Sequence, residues 1–173
     1  MILIIIDYKI IFLLSLGLYH NQSMLSNAAK YAVRAIIYLA IHSNKTNKIG
    51  AKKIATNLEI PQPFLAQLLR NLTAHKLISS TKGPGGGFFL NKKNREKSVW
   101  DVIVSIDGAS KFDECFLGLS KCNDENPCPA HSIVSPFKKA ILQDFRDKSI
   151  NDLVGEIERN GTVISLKGII SDN

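Results

Sequence analysis

The sequence predicts a mainly α chain with a small β wing: a winged helix-turn-helix region followed by a long dimerisation helix. Three observations carry this. Two short helical segments flank a tight turn at Glu59-Ile60, and two strand-like runs around Lys82-Gly83-Pro84-Gly85-Gly86-Gly87 follow at once. In the second half, Val134, Phe137, Ile141 and Phe145 recur at steps of 3, 4 and 4, a seam suited to another helix. Charge divides between the halves: Met24–Lys97 holds 13 Lys and Arg against Glu59 and Glu96, and Ser98–Asn173 holds 8 against 12 Asp and Glu. A basic half joined to an acidic half suggests a polyanion-binding part and a separate regulatory or assembly part. A solvated surface rich in lysine is the alternative.

At 173 residues the chain is long enough for one domain with a real core and an extension. Residues 1–23 form an apolar N-terminal extension. Its early charges are Asp7 and Lys9, and Tyr19-His20-Asn21-Gln22-Ser23 offers no small-residue cleavage site, so it does not read as a signal peptide. Two charges also fall within the window that a membrane helix would need. The expectation is a mis-called start or dispensable tail ahead of Met24, with a membrane or interaction segment as the alternative.

Ser26 or Asn27 caps a helix to about His42. Ala28, Tyr31, Ala32, Ala35, Ile36, Leu39 and Ala40 give one buried face, and Val33, Ile37, Tyr38 and Ile41 extend it around the helix. A short helix spans about Ala51–Leu58, and Pro61 and Pro63 open the next, tolerated where the first turn needs no N–H. Phe64, Leu65, Leu68, Leu69 and Leu72 are expected inward, with Gln62, Gln67, Arg70 and Asn71 exposed. A plain helical hairpin would fit this pair alone. The Leu77–Thr81 and Phe88–Leu90 runs, joined through glycines, make the hairpin a wing. A phosphate-cradling nucleotide loop fails because no Gly-Lys-Ser/Thr follows. Residues 91–97 form a polar connector. Ser98 caps a helix that packs Val99, Trp100, Val102, Ile103 and Ile106 and ends at Asp107-Gly108. Ser132 or Ser135 caps the long helix, with Pro136 in its opening turn, and Ser149 caps a last helix to about Glu158. The regions are therefore 24–97, a winged helix-turn-helix DNA-binding region; 98–160, connecting helix, cysteine loop and dimerisation helix; and 161–173, a weakly ordered tail.

All three cysteines fall between the two helices of the second region, as Cys115-x6-Cys122-x5-Cys128-x2-His131 in a polar loop. An odd, grouped set points to metal binding or a reactive thiol, not a disulfide framework, and to a reducing, cytoplasmic setting. Soft thiolates suit iron–sulfur clusters, zinc or copper(I), and imidazole can complete the set. Structural zinc sites usually pair cysteines two to four residues apart, unlike these gaps. A reversibly oxidised bare thiol is a second alternative. Asp113, Glu114, Asp124 and Glu125 read as solvated loop charges. A Cys–His enzyme lacks a third orienting residue or oxyanion loop here, and an electron carrier would not need the basic half. No enzymatic role and no small-molecule substrate are expected.

Tyr31-Ala32-Val33-Arg34-Ala35, Ile60-Pro61 with Phe64-Leu65, Ser80 to Phe88, Asp107-Gly108 and Asn126-Pro127-Cys128-Pro129-Ala130-His131 resemble the bacterial regulator family that includes IscR, NsrR and CymR, over about residues 24–158. The resemblance implies a homodimeric repressor or activator of transcription. Its second helix of the pair enters the major groove of double-stranded operator DNA, and its wing touches the minor groove. It also implies an iron–sulfur cluster, 2Fe–2S favoured over zinc, on Cys115, Cys122 and Cys128 with His131 as fourth ligand, sensing redox, nitric oxide or iron–sulfur status. The chain departs from IscR-like members in its first gap of six residues and in Ala66, which stands where they carry glutamate. Within that reading Gln62, Gln67 and Arg70 are the base-edge candidates, with Asn71 beside them. Lys52, Lys53, Lys82, the wing glycines Gly85 and Gly86, and Arg34 are the phosphate candidates, Arg34 alternatively serving as an internal ion-pair partner.

Overall fold

The computed structural model describes residues 24–120 and 122–161; the expectations for residues 1–23 and 162–173 lie outside the described residues. The first helix, α1 (Asn27–His42), is the central strut. Ser26 caps it, its hydroxyl accepting from Ala29 N–H at 3.0 Å. Ala29, Ala32, Ala35, Ile36, Ile37, Tyr38, Leu39 and Ala40 are all buried, which is what an apolar circumference demands. One side meets α3 (Gln62–Ala74), and the others meet α5 (Val99–Asp107) and α7 (Ile150–Asn160).

Between α2 (Ala51–Leu58) and α3, Glu59 adopts the left-handed conformation (φ 56°, ψ 42°), and Ile60 N–H returns to Ala55 O at 3.1 Å. That closure costs a non-glycine residue about 1 kcal/mol. Arg34 offsets some of the exposed helix end by donating to Leu58 O at 2.9 Å, so it acts as an internal partner. Leu65, Leu68, Leu69 and Leu72 fill the core below α3. Phe64 does not join them. It remains 41% exposed with its ring edge-on to Tyr31, centroids 5.9 Å apart, because its register on α3 lies at the flank, beside α1 and not beneath it.

The wing is a two-stranded antiparallel ribbon, β1 (Ser79–Thr81), shorter than its predicted run, and β2 (Gly87–Phe89), which begins one residue earlier than predicted. Ile49 adds a one-residue third edge: its N–H and C=O exchange bonds with Phe88, both at 2.9 Å. Gly87 is required there, since a Cβ would lie 2.9 Å from the Ile49 carbonyl carbon and oxygen. The connector after the wing is not purely irregular. It holds a short helix, α4 (Lys92–Arg95), capped reciprocally by Asn91 and Asn94.

Ser98 caps α5 and Gly108 ends it, as the residue types dictate. A 3-10 turn (Ser110–Asp113) leads into the cysteine loop, which ends at α6 (His131–Asp147). Neither Ser132 nor Ser135 caps α6. His131 N–H bonds Cys128 O at 2.9 Å and Val134 N–H bonds Ala130 O at 3.0 Å, so the helix begins earlier and Ser135 lies buried within it. Pro136 therefore stands past the first turn, and the Ser132 carbonyl that loses its intrahelical donor belongs to an exposed residue that water can reach. Helix α7 turns back to the first half. Val99 N–H bonds Lys148 O and Ile150 N–H bonds Lys97 O, both at 2.9 Å. Val102, Ile150 and Val154 thereby complete the core around α1. A second cluster joins Val99, Ile103, Phe112 and Leu142, with Val33 touching both.

Candidate DNA-reading surface and cysteine loop

Gln62, Gln67 and Arg70 project from α3 opposite its leucines and are exposed, with Arg70 Nη2 donating to Gln67 Oε1. Asn71 is a correction. It is half-buried, and its Oδ1 is sealed from solvent with no hydrogen-bond partner among the described residues. The helical step from Arg70 carries Asn71 toward the core flank, off the outward face. Lys52 and Lys53 stand exposed on α2. Lys82 and Gly85 are exposed at the wing tip and Gly86 partly so. Gly83 (φ 90°) and Gly85 (φ 70°) supply left-handed turns, and Gly86 N–H closes onto Gly83 O at 2.9 Å. The helix face, α2 lysines and wing tip were all legible as polar or glycine-rich positions.

What positions the wing relative to α3 was not read from the sequence. Asn94 is buried and fully engaged: its Nδ2 donates to Lys76 O at 2.9 Å, and its Oδ1 accepts from Ser79 Oγ at 2.9 Å and Asn91 N–H at 3.0 Å. One side chain thus ties the end of α3, where Lys76 is left-handed (φ 58°), to the first wing strand. The Asn91-x-x-Asn94 spacing was the available capping signal.

In the cysteine loop one pair of the four candidate donors is in contact. Cys122 Sγ lies 3.6 Å from His131 Nδ1. Cys115 is only 5% exposed. The Leu117 backbone amide chiefly, then those of Leu119 together with the Cys128 thiol and the Lys138 ammonium, holds the Cys115 thiol below its usual range against the opposing effect of burial. All three cysteines are unpaired by disulfide. Among the described residues no three His, Cys, Asp or Glu side chains are gathered around one point that could hold a single metal ion.

Asp124 is more than a solvated charge. Its Oδ1 lies 2.7 Å from His131 Nε2 and its Oδ2 is 3.0 Å from Lys139 Nζ on α6. Lys139, then His131, holds this carboxyl below the usual aspartate range. Lys138 Nζ also donates to Glu114 O at 2.9 Å, so adjacent α6 lysines hold the start and the middle of the loop. Exposed apolar side chains also recur in this stretch: Phe116, Leu117 and Leu119 on the loop, and Ile133 (78% exposed) and Phe137 (63%) on α6. Of the predicted seam, Ile141 and Phe145 pack against the second core cluster, Val134 is half-buried, and Phe137 faces outward.

A helix pair, a glycine wing and a long following helix define a winged helix-turn-helix protein. The chain belongs to the Rrf2 family, described as iron-dependent transcriptional regulators, which matches residues 25–156. It is 34% identical over 137 residues to a predicted HTH-type transcriptional regulator of Aquifex aeolicus, covering 78% of this chain and 94% of that protein. It is 29% identical over 134 residues to the regulator IscR of Photorhabdus laumondii, covering 78% and 80%. Solved structures with the same fold include CymR of B. subtilis (18% identity, TM-score 0.63, 76% and 95% covered) and IscR of T. potens (23%, 0.59, 86% and 95%). The protein is thus a transcriptional regulator, and its family and relatives are regulators, not enzymes. Among the described residues no helix is long and apolar enough to cross a membrane.

Proposed function

We propose that this regulator's hold on double-stranded DNA is set by an iron–sulfur cluster on Cys115, Cys122, Cys128 and His131. The observation that carries the reading is the contact of Cys122 Sγ with His131 Nδ1 at 3.6 Å, in a donor set that is not gathered around one point among the described residues. A single tetrahedral zinc would want all four around one point, whereas a 2Fe–2S centre takes two protein ligands per iron. The donor set fits that group. When bound, such a centre supplies one-electron redox chemistry and lability to oxidants, with one imidazole raising its potential relative to four thiolates. The chain's own residues do the rest: Lys138 and Lys139 tie the loop to α6, and the apolar residues of loop and helix offer a face for a second copy. A homodimer joined through α6 would present two copies of Gln62, Gln67 and Arg70 to successive major grooves. Lys52, Lys53, Lys82 and the wing glycines would then meet phosphates. Asn71, half-buried, supports α3 in this reading and stays off the bases.

Protein purified without oxygen should be brown, with iron and sulfide in equal amounts and visible absorption lost in Cys122→Ala. Gel shifts with the gene's upstream DNA should differ between the loaded and cluster-free forms. A colourless wild type with stoichiometric zinc would overturn the assignment. The thiol-based reading draws on Cys115, whose thiol the Leu117 backbone amide chiefly holds below its usual range, and predicts instead a peroxide-dependent gel shift abolished by Cys115→Ser.

A further inference from the structure

Three further features stand out: the exposed apolar side chains of loop and α6, the sealed Asn71 Oδ1, and the chain His131–Asp124–Lys139. The first belongs to the dimer face already proposed, and at the second nothing among the described residues points to a ligand. The third has defined geometry at every link. His131 Nε2 meets Asp124 Oδ1 at 2.7 Å, and Asp124 Oδ2 meets Lys139 Nζ at 3.0 Å, with Oδ1 also within 3.3 Å of that ammonium. On the other side of the ring, Nδ1 points at Cys122 Sγ, 3.6 Å away.

A neutral imidazole has one donor and one acceptor nitrogen, and the partner of one decides the role of the other. A carboxylate can only accept. The proton must therefore sit on Nε2 when His131 is neutral, and the Nδ1 lone pair is left facing the cysteines. Lys139 fixes the carboxylate from α6, so the ring's orientation is set by the same helix whose first residue is His131.

We infer that Asp124, anchored by Lys139, is a positioning residue that locks His131 into the Nε2–H tautomer with Nδ1 as its ligating atom. This rests on the cluster reading only for the word ligating; the tautomer itself is a property of the cluster-free chain. Carboxylates that hold a ligating histidine in this way commonly contribute about 10–100-fold to metal affinity.

The test uses the full chain and two readouts. In cluster-free, 15N-labelled protein at a pH where His131 is neutral, long-range proton–nitrogen correlations should show His131 almost wholly as the Nε2–H form. Asp124→Ala should give a mixture of tautomers. After anaerobic reconstitution with iron and sulfide, Asp124→Ala and Lys139→Met should lose visible absorption in air roughly 10-fold faster than wild type, and Asp124→Asn should fall between. A wild-type tautomer in Asp124→Ala would overturn the inference, as would loaded Asp124→Ala bleaching at the wild-type rate. If wild type takes up no cluster, the cluster reading fails by itself, and the tautomer spectra still decide whether Asp124 orients the ring.

Discussion

Ser26 and Asp107 are bonded across 81 residues of sequence: the Ser26 N–H donates to Asp107 Oδ2 at 2.9 Å, and its hydroxyl donates to Oδ1. The residue that caps α1 is thereby held by the last residue of α5, and Lys111 Nζ adds a third donor at 3.2 Å. Burial pushes the Asp107 carboxyl up, but the two Ser26 bonds and Lys111 outweigh it and leave it below the ordinary aspartate range.

Asp107→Asn should therefore destabilise the fold by about 1–3 kcal/mol near neutral pH. The sign follows from linkage. A carboxylate with a depressed folded pKa stabilises fully above its unfolded value of about 3.9, and that contribution is lost as pH falls through the lower folded value. Urea denaturation from pH 7 to pH 2.5 should show the gap between wild type and Asp107→Asn closing only at the acid end. A gap that stays constant with pH would contradict this account.

The wing glycines differ in kind. A Cβ on Gly86 would lie 2.4 Å from Thr81 O and 2.7 Å from Gly83 O, whereas Gly85 (φ 70°) has open space around its Cβ position. Gly85→Ala should cost about 1–2 kcal/mol of backbone strain. Gly86→Ala must displace backbone, so it should lower DNA affinity more than Gly85→Ala in fluorescence anisotropy, with the helical core still folded by circular dichroism.

Base-edge and phosphate contacts separate by salt. Arg70→Ala should weaken binding to the specific operator by about 1–3 kcal/mol and relax preference at one base pair. Lys82→Ala should weaken all duplexes alike and reduce the slope of log affinity against log salt by about 1. Equal effects of the two on random DNA would argue against α3 as the reading helix.

Phe137 is exposed on the outward side of α6, beside Ile133. Sedimentation velocity at micromolar concentration should find wild type as a dimer and Phe137→Glu as a folded monomer, since a carboxylate would be desolvated in the joint. An unchanged sedimentation coefficient would move the interface elsewhere.

Much of the fold was legible locally. Ser26, Ser98 and Ser149 as caps, Gly108 as a stop, and the wing glycines all announce themselves because a cap or a positive φ depends on a residue and its near neighbours. The same holds for the outward polar positions of α3, apart from Asn71. Tertiary structure decided the rest: Ile49 as a third wing edge, Asn94 tying Lys76 to Ser79, Phe64 left beside Tyr31, Asp124 gripping His131, and Ser26 meeting Asp107. Each of these depends on which distant surfaces meet and on which buried polar groups must then find partners. Periodicity and propensity describe a segment's own faces, and they carry no term for what a neighbouring element brings to those faces.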